Sequence, residues 1–436
     1  MATEVEAIPV DQRTMGPGAF FFIWVGAGIS LAEVLAGGFL APAGLLAGIA
    51  ANFLGHLLGN TLLALGGVVD TDHGIPSMVS VRPSFGVRGS YLAAVLNVVQ
   101  LVGWTAVMLV VAAKALNALS SQLWGFSGYL TWVVAMGAAT TAWAWSGRKG
   151  WRWLEPIVSG LLLVLSLYVG YRLLSTRGLG GLQAANEGGG MGFGYATDLV
   201  IAMPLSWLPL VADYSRFGRG GTGSFFGCWI GYFVSSFLMY AIGLISSLAA
   251  GTADVVEILT GLEIGAVALV IVAFSTITTA FLDVYSTAVS TQNLFPQLRE
   301  GHLILAAGFI GTLVAAVFPI ERYESFLLLI GGVFVPLFGI VLADYFLLRR
   351  RKLSVQELFK RGGAYWYVHG VNPIAMIAWV TGVVTYYACT ENGLSTGASI
   401  PSLTAASVIY VLGMIRWASR FSTPADSAVA SYSMPR

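Results

Sequence analysis

The stretch Phe20–Pro42, FFFIWVGAGISLAEVLAGGFLAP, restricts the fold of this chain more than any other. It is apolar and long enough to cross a hydrocarbon core of about 30 Å, which takes roughly 20 helical residues. Within it lie a run of small residues, Gly26-Ala27-Gly28, and one carboxylate, Glu33. An ionisable group at membrane depth is costly and is kept for a purpose. Glycines at that depth weaken a helix where backbone groups would have to give up their own hydrogen bonds. Together they point to a broken helix that holds a polar ligand, rather than to an anchor.

Composition requires the membrane setting. Of 436 residues, 57% are hydrophobic and 10% are charged, with mean hydropathy +0.79. A soluble domain carries about 25% charge. The net charge of +1 gives no electrostatic case for nucleic acid. Cys228 and Cys389 lie in or beside apolar stretches, so neither a disulfide framework nor a thiolate metal site is expected. His56, His73, His302 and His369 are scattered, without HExxH or similar spacing. The N-terminus, MATEVEAIPVDQRTMGPG, lacks the basic region of a cleavable signal. The expected partners are lipid and a small molecule, with no organic cofactor and no obligatory protein partner.

Apolar runs predict twelve spans, near 18–42, 44–69, 90–117, 128–147, 153–175, 195–213, 224–250, 263–290, 302–319, 324–348, 370–389 and 400–419. The longest early connection, between spans 5 and 6, holds Gly188-Gly189-Gly190. With the N-terminus placed in the cytoplasm, all but Lys114, Arg172, Arg177 and Arg322 of the 22 Lys and Arg fall on that side. Arg148, Lys149 and Arg152 follow span 4, and Arg349, Arg350, Arg351 and Lys352 follow span 10. Both termini are therefore expected inside, in the cytoplasmic (inner) membrane.

Span 6, ATDLVIAMPLSWLPLVADY, carries Pro204 and Pro209 on either side of Ser206-Trp207. Proline removes a backbone donor and crowds the preceding turn. Spans 1 and 6 are thus both candidates for unwinding, five helices apart. An odd number of helices per repeat inverts the second copy. Paired broken helices in inverted repeats point to the binding site of a secondary transporter. The bland alternative is that Gly and Pro are simply common in membrane helices.

Span 8, GAVALVIVAFSTITTAFLDVYSTAVST, sets Ser275, Thr279 and Asp283 on one face, with Thr278 beside them. Such hydroxyls could ligate sodium; equally, they could bond back to their own helix carbonyls. Asp283 adds a carboxylate that needs a partner. In span 3, NVVQLVGWTAVML, Gln100 and Trp104 lie one turn apart, an amide that reads edges beside an indole that stacks. Trp104 and Trp207 are both too deep for an interfacial belt and suit a planar ligand held between them. Glu33 has three open uses: a bidentate acceptor for an amidine edge, a proton carrier, or a structural partner to a donor such as His56.

Three further motifs end in arginine at the inner surface: IPSMVSVRPSFGVRGS (Ile75–Ser90), DYSRFGR (Asp213–Arg219) and ADYFLLRRR (Ala343–Arg351). Anchoring explains any one of them; gate ion pairs are the sharper reading. RPSFGVRG with Gly103-Trp104 downstream, SWLPLVADYSRF, STITTAFLDVYS and VPLFGIVLADYF, in that order, resemble the nucleobase–cation symporter family, permeases for cytosine, purines, uracil, allantoin and hydantoins. The resemblance covers roughly residues 15–420 and looks closest to the CytX branch, to which hydroxymethylpyrimidine transport in thiamine salvage is attributed.

The resemblance implies an all-α membrane protein of twelve helices. A core at 18–348 would hold two inverted five-helix repeats, about 18–175 and 195–348, with spans 1 and 6 broken. Two accessory helices (370–419) and tails at 1–17 and 420–436 complete it. It implies a substrate stacked between Trp104 and Trp207, with Ser206 beside them. It also implies a cation held by carbonyls of Gly26 and Ile29 and oxygens of Ser275, Thr278 and Thr279. Ser30, Glu33, Gln100, Thr279 and Asp283 complete the expected substrate set. This sequence departs from its relatives in placing Gln100 four residues before Trp104 and Met108 four after, and in having Ala280 where a cytosine-type relative carries Asn. The expected function is cation-coupled import of a small pyrimidine, hydroxymethyl-aminopyrimidine first, with sodium or a proton as the coupling ion. The alternative is a permease for cytosine or another nucleobase or hydantoin with proton coupling. A channel would need a continuous polar stripe, and an intramembrane enzyme a catalytic set at depth; neither is present in the sequence.

Overall fold

The computed structural model describes residues 7–146, 151–185, 190–252 and 265–421. Arg148, Lys149, Gly188 and Gly189, and the side chains of Arg152, Arg177 and Thr278, lie outside the described residues. Each expected span is helical. In order they are Pro17–Gly28 with Leu31–Gly38, Leu45–His73, Ser90–Trp124, Tyr129–Ser146, Trp151–Ala185, Phe193–Trp207, Gly221–Ala250, Gly265–Leu294, Glu300–Val317, Tyr323–Leu342, Pro373–Glu391 and Ser399–Phe421. Seven of the described helices are singly long and apolar enough to cross a membrane, and the two halves of span 1, bent by 57°, make an eighth.

Packing follows an exchange of repeats. Span 1 lies on span 7 and span 6 on span 2; span 3 lies on span 9 and span 8 on span 4; spans 3 and 8 pack on each other. Shifting each number by five maps this set onto itself, as inverted five-helix repeats require. Spans 11 and 12 pack on each other and on span 10.

The break in span 1 falls at Ile29–Ser30, just past the glycine run. Ile29 has φ −89° and ψ 82°, and Ser30 is extended at φ −141° and ψ 158°. The Ser30 hydroxyl caps the second half by accepting from Glu33 N at 3.4 Å. Gly28 is itself helical and serves packing, because a Cβ there would strike Ser235 and the Ser236 backbone of span 7. Gly37 meets the Tyr240 backbone in the same way, and Gly243 meets the Val34 carbonyl. The glycines of this pair thus permit a close crossing of spans 1 and 7. Gly243→Ala is expected to destabilise the fold by about 1–3 kcal/mol through overpacking. Thermal unfolding of the purified protein checks this, and an unchanged midpoint would refute the close crossing.

Span 6 is interrupted where its prolines predict, by a tightened turn rather than by an extended segment. The helix runs through Pro204 to Trp207, then tightens into a 3-10 turn at Leu208–Leu210 before Ala212–Ser215. Its junction residues all keep right-handed helical angles. The prolines interrupt hydrogen bonding while the chain keeps helical angles, because their fixed φ is already helical. Near one end of this span Asp198, 4% exposed, accepts from Ala398 N at 2.5 Å and Ser399 N at 2.9 Å at the start of span 12.

The arginine-rich end is tied together tightly. Asp344, in a π-helical extension of span 10, accepts from Arg349 Nε at 2.6 Å, Tyr410 at 2.8 Å and Ser84 at 3.2 Å. Arg349 also donates to Pro83 O and to the Tyr367 hydroxyl. Arg351 pairs with Asp72 at 2.8 Å. Arg13, in the segment before span 1, donates to the carbonyls of Ile8 and Thr71, and Met15 bridges to Phe217 and Arg219. Arg82 donates to Asn293 and to Leu358 O.

Candidate functional site

The break and the second half of span 1 face a pocket against spans 3, 6 and 8. It is lined by Ser30, Ala32, Glu33, Leu101, Trp104, Met108, Met203, Ser206, Trp207, Leu210, Thr279 and Asp283. Its volume is about 10 Å³, room for the centre of a single water-sized sphere. A ring can enter only when the walls part.

Both tryptophans reach this pocket on rigid supports. Trp104 meets Tyr323 and Phe326 edge-on at 5.7 and 5.5 Å. Trp207 meets Trp24 edge-on at 6.1 Å, and Trp24 in turn packs on Tyr214 and Tyr232. Two polar atoms of the lining residues are buried without a hydrogen-bond partner: Trp104 Nε1, a donor, and Asp283 Oδ2, an acceptor. Buried polar atoms are nearly always paired, so this donor and acceptor need an explanation. Ser206 lines the pocket while its hydroxyl donates to Met203 O at 2.6 Å. Thr279 does likewise, its hydroxyl donating to Ser275 O at 3.2 Å.

Glu33 touches the pocket and is also held from behind. Tyr232 donates to Oε1 at 2.6 Å, and the Ser236 hydroxyl lies 2.7 Å from Oε2. The His56 ring joins from span 2, with Nε2 2.5 Å from Ser236 Oγ and Nδ1 2.9 Å from Asn52 O. The structural link to His56 that the sequence left open exists, by way of a serine the sequence did not single out.

Gln100 is not among the lining residues. Its Nε2 donates to Asn97 Oδ1 at 2.8 Å and to Ser206 O at 2.9 Å, bracing span 3 against the end of span 6. Gly26, Ile29 and Ser275 also stand outside the lining set, and Gly26 O accepts from Ile29 N at 3.3 Å. The structure thus brings Ser30, Glu33, Trp104, Ser206, Trp207, Thr279 and Asp283 to one pocket. Met108, singled out in the sequence only for its place beside Trp104, joins an apolar floor of Ala32, Leu101, Met203 and Leu210 that, like the Tyr232–Ser236 backing, was not legible in the sequence. Apolar residues in membrane helices carry no signal of their own, and the backing hydroxyls lie about 200 residues from Glu33.

Trp207→Ala is expected to weaken binding of a stacked ring by about 1–3 kcal/mol, the usual worth of one aromatic platform. Binding calorimetry checks it; equal affinity would remove Trp207 from the site.

Comparison with known proteins places this geometry. The hydantoin permease of Microbacterium maritypicum is 25% identical over 439 residues, covering 94% of this chain and 87% of its own. The cytosine permease of Escherichia coli (strain K12) is 26% identical over 363 residues, covering 79% and 82%. In structure, the inward-facing conformation of Mhp1 superposes with a TM-score of 0.85 at 23% identity, over 100% of this chain and 98% of that one, which shows a shared fold. A family model described as "Permease for cytosine/purines, uracil, thiamine, allantoin" matches residues 7–413, nearly the whole chain, and the chain belongs to that family.

Proposed function

We propose that this chain is a cation-coupled secondary transporter of a small planar heterocycle, a nucleobase or hydantoin, working by alternating access. The observation that carries the reading is the unpaired Trp104 Nε1 and Asp283 Oδ2 lining one pocket with two indole rings. Such a pocket offers a ring two stacking faces, one donor for a carbonyl and one carboxyl oxygen to accept from an N–H. Rings with neighbouring C=O and N–H groups fit that demand. The hydantoin and cytosine permeases among the relatives support the same substrate class.

The proposal carries its topology with it. Both termini face the cytoplasm of the inner membrane, the repeats span about 18–175 and 195–348, and spans 11 and 12 are accessory to that core. The coupling ion is read as a proton, since two carboxylates, Glu33 and Asp283, line the pocket. Sodium is the second reading. It would call on Gly26 and Ile29 carbonyls with Ser275, Thr278 and Thr279, after a rearrangement that frees them. Hydroxymethyl-aminopyrimidine is a second substrate reading, favoured by Glu33: its oxygens keep lone pairs beyond those Tyr232 and Ser236 occupy, enough for an amidine edge.

Uptake into proteoliposomes tests all of this. Labelled cytosine, hydantoin, allantoin and hydroxymethylpyrimidine are offered under a proton gradient, a sodium gradient or none. Saturable, proton-driven uptake of cytosine or hydantoin is expected. Uptake of hydroxymethylpyrimidine alone would move the substrate to the second reading, and no uptake of any ring would overturn the proposal.

A further inference from the structure

The Glu33 backing contains more acceptors than its hydrogens can serve. Asn52 O can only accept, so His56 Nδ1 carries a hydrogen. Tyr232 gives its hydroxyl hydrogen to Glu33 Oε1. Between Glu33 Oε2 and His56 Nε2 stands Ser236 Oγ, at 2.7 and 2.5 Å. Those are two short bonds, and a serine hydroxyl supplies one hydrogen. The second must sit on Glu33 or on His56.

Both placements satisfy every atom. In one, the Glu33 carboxyl donates to Ser236, and Ser236 donates to neutral His56. In the other, Ser236 donates to the Glu33 carboxylate, and an imidazolium His56 donates to Ser236. They interconvert when two hydrogens each move one step: the carboxyl hydrogen to Ser236 Oγ, and the hydroxyl hydrogen to His56 Nε2. Without the extra hydrogen, two acceptors compete for one hydroxyl and a net negative charge stays buried, since Glu33 is 1% exposed and His56 and Ser236 are fully buried. That state is costly in a low-dielectric interior.

We propose that Glu33, Ser236 and His56 form one proton-binding site, reaching from the pocket wall through span 7 to span 2. The proton is stored on His56 when Glu33 presents a carboxylate to the pocket, and on Glu33 when it does not. The site's role as the coupling-proton site rests on the transport reading above; its existence as a shared proton does not. The other titratable groups around it are the phenols of Tyr232 and Tyr240 on span 7 and of Tyr323 on span 10, whose hydroxyl donates to Ala32 O, with Asp283 on span 8 across the pocket.

The test needs no substrate. Infrared spectra of the purified full-length chain in lipid nanodiscs are recorded across a pH titration, following the carbonyl stretch of the protonated carboxyl. Glu33→Gln identifies the Glu33 band. With His56 sharing the proton, the protonated pair has an extra arrangement and holds its proton to higher pH. His56→Gln is therefore expected to strengthen the carboxyl band at acid pH and to move its loss about one pH unit lower, a tenfold weaker proton affinity. Ser236→Ala cuts the link to His56, so adding His56→Gln to it should move the midpoint no further. A midpoint identical in wild type and His56→Gln, or an equal His56→Gln shift with and without Ser236, would overturn the shared site. Coupled bands in a chain that moves no ring would uphold this site and sink the transport reading; active uptake with uncoupled bands would do the reverse.

Discussion

Asp283→Asn is expected to weaken binding of cytosine or hydantoin by about 2–4 kcal/mol, thirtyfold or more in Kd, measured by calorimetry. The substitution keeps the shape and removes the charge. A charge-assisted acceptor in a dry pocket contributes more than a neutral one, and the amide also places a donor where the ring would present its own. The same substitution should leave the thermal midpoint unchanged or raise it. Asp283 Oδ2 is buried without a partner, so the ligand-free fold carries a desolvated carboxyl group, and nothing in that fold is lost when asparagine replaces it. Opposite signs for affinity and stability distinguish a binding residue from a structural one. A loss of stability, or unchanged affinity, would count against the assignment.

Arg349→Met is expected to destabilise the protein by about 3–5 kcal/mol, read as a lowered thermal midpoint. Asp344 is 2% exposed, and Arg349 is its cationic partner, at 2.6 Å. Removing the guanidinium leaves the carboxylate with two hydroxyls, from Tyr410 and Ser84, and leaves Pro83 O with the Tyr367 hydroxyl as its remaining side-chain donor. Adding Asp344→Asn should recover most of the loss, because a broken buried pair costs more than a pair replaced on both sides. No recovery would mean that Arg349 acts through Pro83 and Tyr367 instead.

The spans were legible because a bilayer demands about 20 apolar residues at a time, a signal that survives without tertiary information. The bend in span 1 was legible to within a few residues, but for a mixed reason. Gly28 and Gly37 answer to the approach of span 7, and the turn itself is made by Ile29 and Ser30. In span 6 the prolines signalled an interruption whose extent depends on whether the chain leaves helical angles, and here it does not. Trp104, Trp207 and Asp283 were readable because each is expensive at depth. Gln100 was readable as polar but not as to direction, since its amide turns to Ser206 O, an atom 106 residues away. Tyr232 and Ser236 were invisible for the same reason: nothing local announces a carboxylate from another span, and a serine hydroxyl in a membrane helix ordinarily bonds to its own turn.

The Asp198 carboxylate limits how far this protein can be shortened. It receives two backbone N–H groups from the start of span 12, at 2.5 and 2.9 Å. A minimal ten-helix version, ending after span 10, would keep the repeats and lose both donors. Span 6 would then carry an exposed acid on a surface made for contact, and the truncation would need Asp198 replaced as well.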